Sequence, residues 1–168
     1  EITANPNAFH NRGSALFKLD KMNAAIADFT HSITIDNMNA PSYNSRGLCF
    51  DKMEKYHEAL CDFSMAIELD PRNAVFYHNR AITHRNTGDF QKAVEDFTDS
   101  IGLNSENPAA LTNRGFAFRK LGMFDEAIRD YTIALQLAPN NIKSLNNRGY
   151  SFAKKGDYKH AIQDFTHV

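Results

Sequence analysis

The chain has 168 residues, 42% of them hydrophobic and 23% charged, with Lys+Arg 19 against Asp+Glu 20 and a formal net charge of −1. Near-neutral charge excludes a broadly basic nucleic-acid binder, and a mean hydropathy of −0.50 without any long apolar run excludes a membrane span. Two cysteines in a chain of this length make no disulfide framework, so a reducing, cytoplasmic setting is expected.

Reading from the N-terminus, the first segment to recur is Asn11-Arg12-Gly13. It returns as Ser45-Arg46-Gly47, Asn79-Arg80-Ala81, Asn113-Arg114-Gly115 and Asn147-Arg148-Gly149, at a constant step of 34 residues. Other columns keep that register. They are Ala25, Ala59, Ala93, Ala127 and Ala161, then Asp28, Asp62, Asp96, Asp130 and Asp164, each Asp followed by Phe29, Phe63, Phe97, Tyr131 or Phe165. Asn5, Asn39, Asn73, Asn107 and Asn141 mark the junctions. So many columns in one register identify an internal repeat. We place the copies at 6–39, 40–73, 74–107, 108–141 and 142–168, the last incomplete, as a single array.

Each copy reads as two helices. In the second, Tyr43, Arg46, Gly47 and Phe50 fall at i, i+3, i+4 and i+7, one face of a helix, and Tyr56, Leu60, Phe63 and Ile67 repeat that spacing. Lys52-Met53-Glu54-Lys55 connects them. Later copies place Gly88, Gly122 and Gly156 in this connector, where a left-handed helix end is easiest without a Cβ. Asp20 and Glu54 hold the position in the first two copies, whose turns are expected to be strained or differently closed. Asp70-Pro71-Arg72-Asn73 and Ala138-Pro139-Asn140-Asn141 are stop-and-turn sequences between copies.

A 34-residue helical hairpin with a small residue in its first helix, an alanine and an aromatic in its second, and a proline near its end resembles the tetratricopeptide repeat (TPR). The second copy supplies Gly47, Ala59, Phe63 and Pro71. The chain departs from that pattern where Asn37 and Ser105 replace the proline, and where an Arg precedes the glycine. The resemblance covers essentially the whole chain. It implies an all-α fold, an α-solenoid of antiparallel helix pairs in a right-handed superhelix, with the first helices lining a concave groove for an extended polypeptide.

The Arg column (Arg12, Arg46, Arg80, Arg114, Arg148) and the Asp column (Asp28, Asp62, Asp96, Asp130, Asp164) suit a repeating structural ion pair between packed helices, since Arg offers a forked set of donors. Glu1 to Asn5 match the end of a preceding copy and Val168 stops inside a second helix, so the chain is expected to be a fragment of a longer array. Its uncapped C-terminal edge at Ala161, Ile162 and Phe165 is a candidate surface for self-association.

No catalytic constellation is present: there is no G-x-S-x-G, P-loop, G-x-G-x-x-G or H-E-x-x-H. Neither metal nor cofactor is expected, because no C-x-x-C occurs and His160 and His167 are too far apart to form a two-ligand clip. Cys49 sits in a column of small residues and reads as buried and inert, whereas Cys61 reads as exposed.

By the resemblance, the groove is lined by the column before the Arg and by residues three and seven further on. The first holds Asn11, Ser45, Asn79, Asn113 and Asn147, whose amides both donate and accept and can bond a peptide backbone. The second grows more apolar, from Ser14 and Leu48 to Ile82, Phe116 and Tyr150. The third supplies Lys18, Lys52, Lys120 and Lys154, with Arg85 and Arg119 beside it, an edge that favours acidic segments. The matching to chaperone-tail binders fails: Asn113 and Lys143 fit that pattern, but Asn147 stands where it needs Arg. The leading reading is therefore a non-catalytic protein-interaction scaffold with a protein or peptide partner. The alternatives are a substrate-targeting array of a larger enzyme and single-stranded nucleic-acid binding along the lysine edge, with Phe116 and Tyr150 as stacking platforms.

Overall fold

A computed structural model describes residues 5–166. His167 and Val168, and Glu1 to Ala4 of the junction-like N-terminal segment, lie outside the described residues. Among the described residues there are ten helices and no strand: α1 (Pro6–Lys18), α2 (Met22–Ile35), α3 (Ala40–Lys52), α4 (Tyr56–Leu69), α5 (Ala74–Thr87), α6 (Phe90–Leu103), α7 (Pro108–Lys120), α8 (Phe124–Leu137), α9 (Ile142–Lys154) and α10 (Tyr158–Thr166). Two compact units divide between Thr83 and His84, inside α5.

The junction asparagines turn out to be helix caps. Asn5, Asn39, Asn107 and Asn141 accept from backbone N–H groups of the first turns of α1, α3, α7 and α9, which otherwise have no partner there. Pro6, Pro41 and Pro108 occupy first-turn positions where a missing N–H costs nothing. Lys52, read as connector, instead closes α3.

Four of the five hairpins close on a contact between a glycine and an aromatic ring, and the third has Ala81 in place of the glycine. A Cβ on Gly47 would stand 2.8 Å from Phe63 Cε1, and one on Gly115 would stand 2.8 Å from Tyr131 Cε1. Both rings are fully buried, as are Ala59 and Ala127 on the same helices. Phe29 packs on Gly13 and joins Ala25 and Cys49 of the next copy in one apolar cluster. Burial of rings of this size stabilises by roughly 1.5–3 kcal/mol each. Phe165, at the end of the series, is 47% exposed, and Ile162 is exposed beside it. Ala161, expected on that exposed edge, is buried against its own hairpin.

The connectors differ between copies in the way their residues anticipate. Gly88, Gly122 and Gly156 adopt φ of +84°, +78° and +82°, and Asp20 and Glu54 are forced into the same region at +60° and +59°. The left-handed conformation is costly for a residue bearing a Cβ, by roughly 1–2 kcal/mol.

Candidate functional site

The first charged layer is structural. Arg46 Nε and Nη2 donate to the two carboxylate oxygens of Asp62, both at 2.8 Å. Arg114 with Asp130 and Arg148 with Asp164 form the same fork. In each, the carboxylate is almost wholly buried and the guanidinium about four-fifths buried. Arg12 makes the fork with Asp28 at 2.6 Å although its own side chain is 65% exposed. Those bonds hold the Asp28 carboxyl below the ordinary carboxylate range. The third guanidinium, Arg80, donates to Ser64 Oγ, and Asp96 faces the His84 ring at 3.8 Å.

The Nη1 of these guanidinia has a second role. Arg46 donates to Thr30, Arg80 to Ser64, Arg114 to Thr98 and Arg148 to Thr132, each one copy back. One guanidinium thus ties its own hairpin to the preceding one. The signal lay in the sequence, because a hydroxyl stands two places after every Asp of the column.

In the first unit the first-helix residues are largely engaged with their neighbours. Asn79 Nδ2 donates to Asn44 Oδ1 at 2.9 Å, and Thr83 Oγ1 donates to Asp51 Oδ1 at 2.6 Å. Lys52 Nζ bonds Asp20 Oδ1 at 2.6 Å and lies 5.5 Å from the Phe17 ring. Asn11 and Lys18 are exposed. Lys18 borders a cavity of about 160 Å3 with Ser14, Phe17, Phe29, Ser45 and Leu48, and Ile82 is half-buried.

The second unit is arranged differently. Arg119 stands between two rings, its guanidinium carbon 4.9 Å from the centroid of Phe116 and 4.7 Å from that of Tyr150. Lys120 Nζ approaches Phe116 and Lys154 Nζ approaches Tyr150, each to 5.5 Å. The result is a file of cations interleaved with aromatic faces, a geometry in which ring quadrupoles attract positive charge. Tyr150 is 41% exposed. Asn113 is buried, and its carboxamide oxygen accepts from Arg85 Nη1 at 2.8 Å and lies 3.5 Å from Lys143 Nζ. It is therefore not an open rung for a ligand, whereas the half-buried Asn147 has no side-chain partner among the described residues.

Beside this file lies a cavity of about 410 Å3 lined by Arg85, Asn86, Phe90, Phe116, Lys120 and Lys143. Phe90 and Lys143 were not among the residues predicted to line the groove. Their signals were a first residue of the second helix that is aromatic in four of five copies, and a single lysine in a column otherwise Asn, Pro, Val and Ala. Arg119, Lys120, Lys143 and Lys154 have no carboxylate partner among the described residues. Burial, and then the charge of Arg85, lowers the pKa of Lys143. Neither cysteine adds chemistry: burial pushes the Cys49 thiol up to about 11, and Cys61 is exposed with only His57 near it, at 4.0 Å. Among the described residues no group of three or more His, Cys, Asp or Glu could hold a metal ion, and no helix is long and apolar enough to cross a membrane.

Family models described as tetratricopeptide repeat match residues 6–37 and 142–168, residues 40–73 and 108–141, and residues 63–95. The chain belongs to the tetratricopeptide repeat family. Its TPR fold is shared with solved structures at low identity. A crystal structure of MamA protein is 18% identical with a TM-score of 0.89, over 96% of this chain and 88% of that one. MamA from residue 41 onward of Desulfovibrio magneticus RS-1 is 16% identical with a TM-score of 0.90, over 96% and 91%. YrrB, described as a TPR protein with an unusual peptide-binding site, is 19% identical with a TM-score of 0.83, over 95% and 82%. No curated protein sequence matches the chain. These likenesses fit an α-solenoid of helix pairs, and the TPR repeats support a protein-interaction scaffold.

Proposed function

We propose that the chain binds an extended, acidic polypeptide along the faces of its first helices, with the second unit contributing most of the charge selectivity. The observation that carries this reading is the cation and aromatic file of Phe116, Arg119, Lys120, Tyr150 and Lys154, whose cations are stacked on rings and not neutralised by carboxylates. Structural cations of the same unit, Arg114 and Arg148, are forked onto buried carboxylates. Positive charge left without an internal partner is what an acidic segment would complement, and rim charges of this kind favour encounter and orientation. The open amide of Asn147 would bond the peptide backbone, and exposed Tyr150 would take an apolar side chain. YrrB, a TPR protein with a peptide-binding site, lends the fold-level analogy. Two free thiols are compatible with a cytoplasmic, reducing setting.

The test is a selection of displayed random peptides of about 12 residues on the immobilised full chain, followed by affinity measurements on the peptides recovered. Enrichment in Asp and Glu is expected. Arg119→Ala with Asn147→Ala should weaken the recovered peptides at least tenfold, or about 1.4 kcal/mol, and raising salt from about 0.05 to 0.5 M should weaken the parent. Peptides without acidic enrichment, or unaffected by the double substitution, would refute the reading.

A further inference from the structure

The cavity of the second unit is more specific than a basic rim. The Arg85 guanidinium is oriented by two amides, Nη1 donating to Asn113 at 2.8 Å and Nη2 to Asn86 at 3.1 Å. Lys143 is drawn onto the same Asn113 oxygen at 3.5 Å, so two cations converge on one neutral acceptor. Lys120 completes the lining from α7. The adjacent carboxylate, Asp89, caps α6 at Lys92 N and pairs with Lys92 Nζ at 3.0 Å, so its charge is committed to its own helix. Elsewhere in this unit Arg114, Arg148, Arg129 and Lys155 each meet a carboxylate. Lys120 and Lys143 do not.

One wall is apolar. Phe90 and Phe116 meet edge to face, ring centroids 6.4 Å apart. The cavity is therefore lined by three cations and two rings, in about 410 Å3. A single carboxylate would leave one of the two charges of Lys120 and Lys143 uncompensated. A dianionic phosphoryl group offers three acceptor oxygens to Arg and Lys donors and matches those two lysine charges. We propose that this cavity takes the phosphoryl group of a phosphorylated side chain in the peptide ligand, with Arg85, Lys120 and Lys143 on the oxygens and Phe90 and Phe116 against the stem. The inference rests on the peptide-binding reading above and names the side chain that the same face selects.

The probe is phenyl phosphate, titrated into the isotopically labelled full chain while the side-chain amides of Asn86 and Asn113 are followed by NMR. Benzoate, inorganic phosphate and a 12-mer of thymidylate serve as comparison ligands. Phenyl phosphate is expected to shift both amides saturably and to bind at least tenfold more tightly than benzoate or inorganic phosphate. Lys120→Ala with Lys143→Ala should cost it at least tenfold, with the remaining spectrum unchanged. The proposal is overturned if phenyl phosphate gives no saturable shift or is indifferent to the double substitution. Benzoate binding equally well would make this a carboxylate site and leave the acidic-peptide reading standing. Equal binding of inorganic phosphate would mark a free-ion site, and tighter binding of the oligonucleotide at the same resonances a nucleic-acid site, and either would overturn the proposal.

Discussion

Residues 68 apart occupy the same place in the two units, and at three such places the units made opposite choices. Asp51 of the first corresponds to Arg119 of the second, Asp20 to Gly88 and Glu54 to Gly122. The first unit uses its carboxylates internally: Asp51 accepts from Thr83, and Asp20 holds Lys52. In the second unit those acidic positions are arginine or glycine, so Lys120, Lys154 and Arg119 are left to aromatic faces. The scaffold columns change little between units. Gly47 meets Phe63 as Gly115 meets Tyr131, and Arg46 grips Asp62 as Arg114 grips Asp130. Packing is therefore held in shared columns, and the proposed binding face draws on the few that diverge.

The comparison breaks first where the columns are shared. Phe63→Ala removes a fully buried ring that faces Gly47, and should cost about 3–5 kcal/mol. Chemical denaturation followed by helical signal measures this. A loss under about 1 kcal/mol would mean that the ring position is not what closes the hairpin. The next effect is about 1 kcal/mol and has opposite signs in the two units. Gly122→Ala places a Cβ at φ +78°, which should destabilise, whereas Glu54→Gly relieves φ +59° and should stabilise. A Cβ at Gly122 would meet nothing within 4 Å, so the backbone conformation alone sets the cost. If both substitutions destabilise, Glu54 contributes something beyond its strain.

The repeat, the helix pairs and the alternation of small and aromatic columns were legible because a 34-residue period leaves every packing position visible five times. The role of Asn39 or Asn141 as a cap was less legible, since a junction residue and a capping residue look alike until the N–H group it accepts from is located. Asn79 and Asn113 show the limit more sharply. Their column suggested an open row of amides, but whether an amide is free depends on what stands opposite, here Asn44 and Arg85 from other helices. Lys143 was hidden for the converse reason. It occurs once, and periodic reading weights what recurs, whereas a binding pocket is built from what does not.

The smallest effect concerns pH and turns on His10. His10 Nδ1 lies 2.9 Å from Ser42 Oγ, which lies 2.9 Å from Ser32 Oγ, with the Phe29 ring alongside. Three copies on in the same column, Thr112 Oγ1 meets Ser144 Oγ at 2.7 Å, a pair of hydroxyls in place of an imidazole and a hydroxyl. Burial lowers the pKa of His10 from its ordinary 6.5, so the fold favours the neutral ring. The unfolded chain then binds more protons below pH 6.5, and stability is full above that value and declines as pH falls through the folded one. Asp28 loses its contribution only later, below the ordinary carboxylate range, because its own pKa is depressed by Arg12. A shallow loss of stability setting in below about pH 6.5 should therefore precede the acid transition, and amide exchange should locate it in α1 to α3. His10→Thr installs the residue that the fourth copy has in this column and should reduce that early slope while leaving the acid transition in place. If the slope is unchanged by the substitution, the burial of His10 is not its origin, and this position carries no pH response.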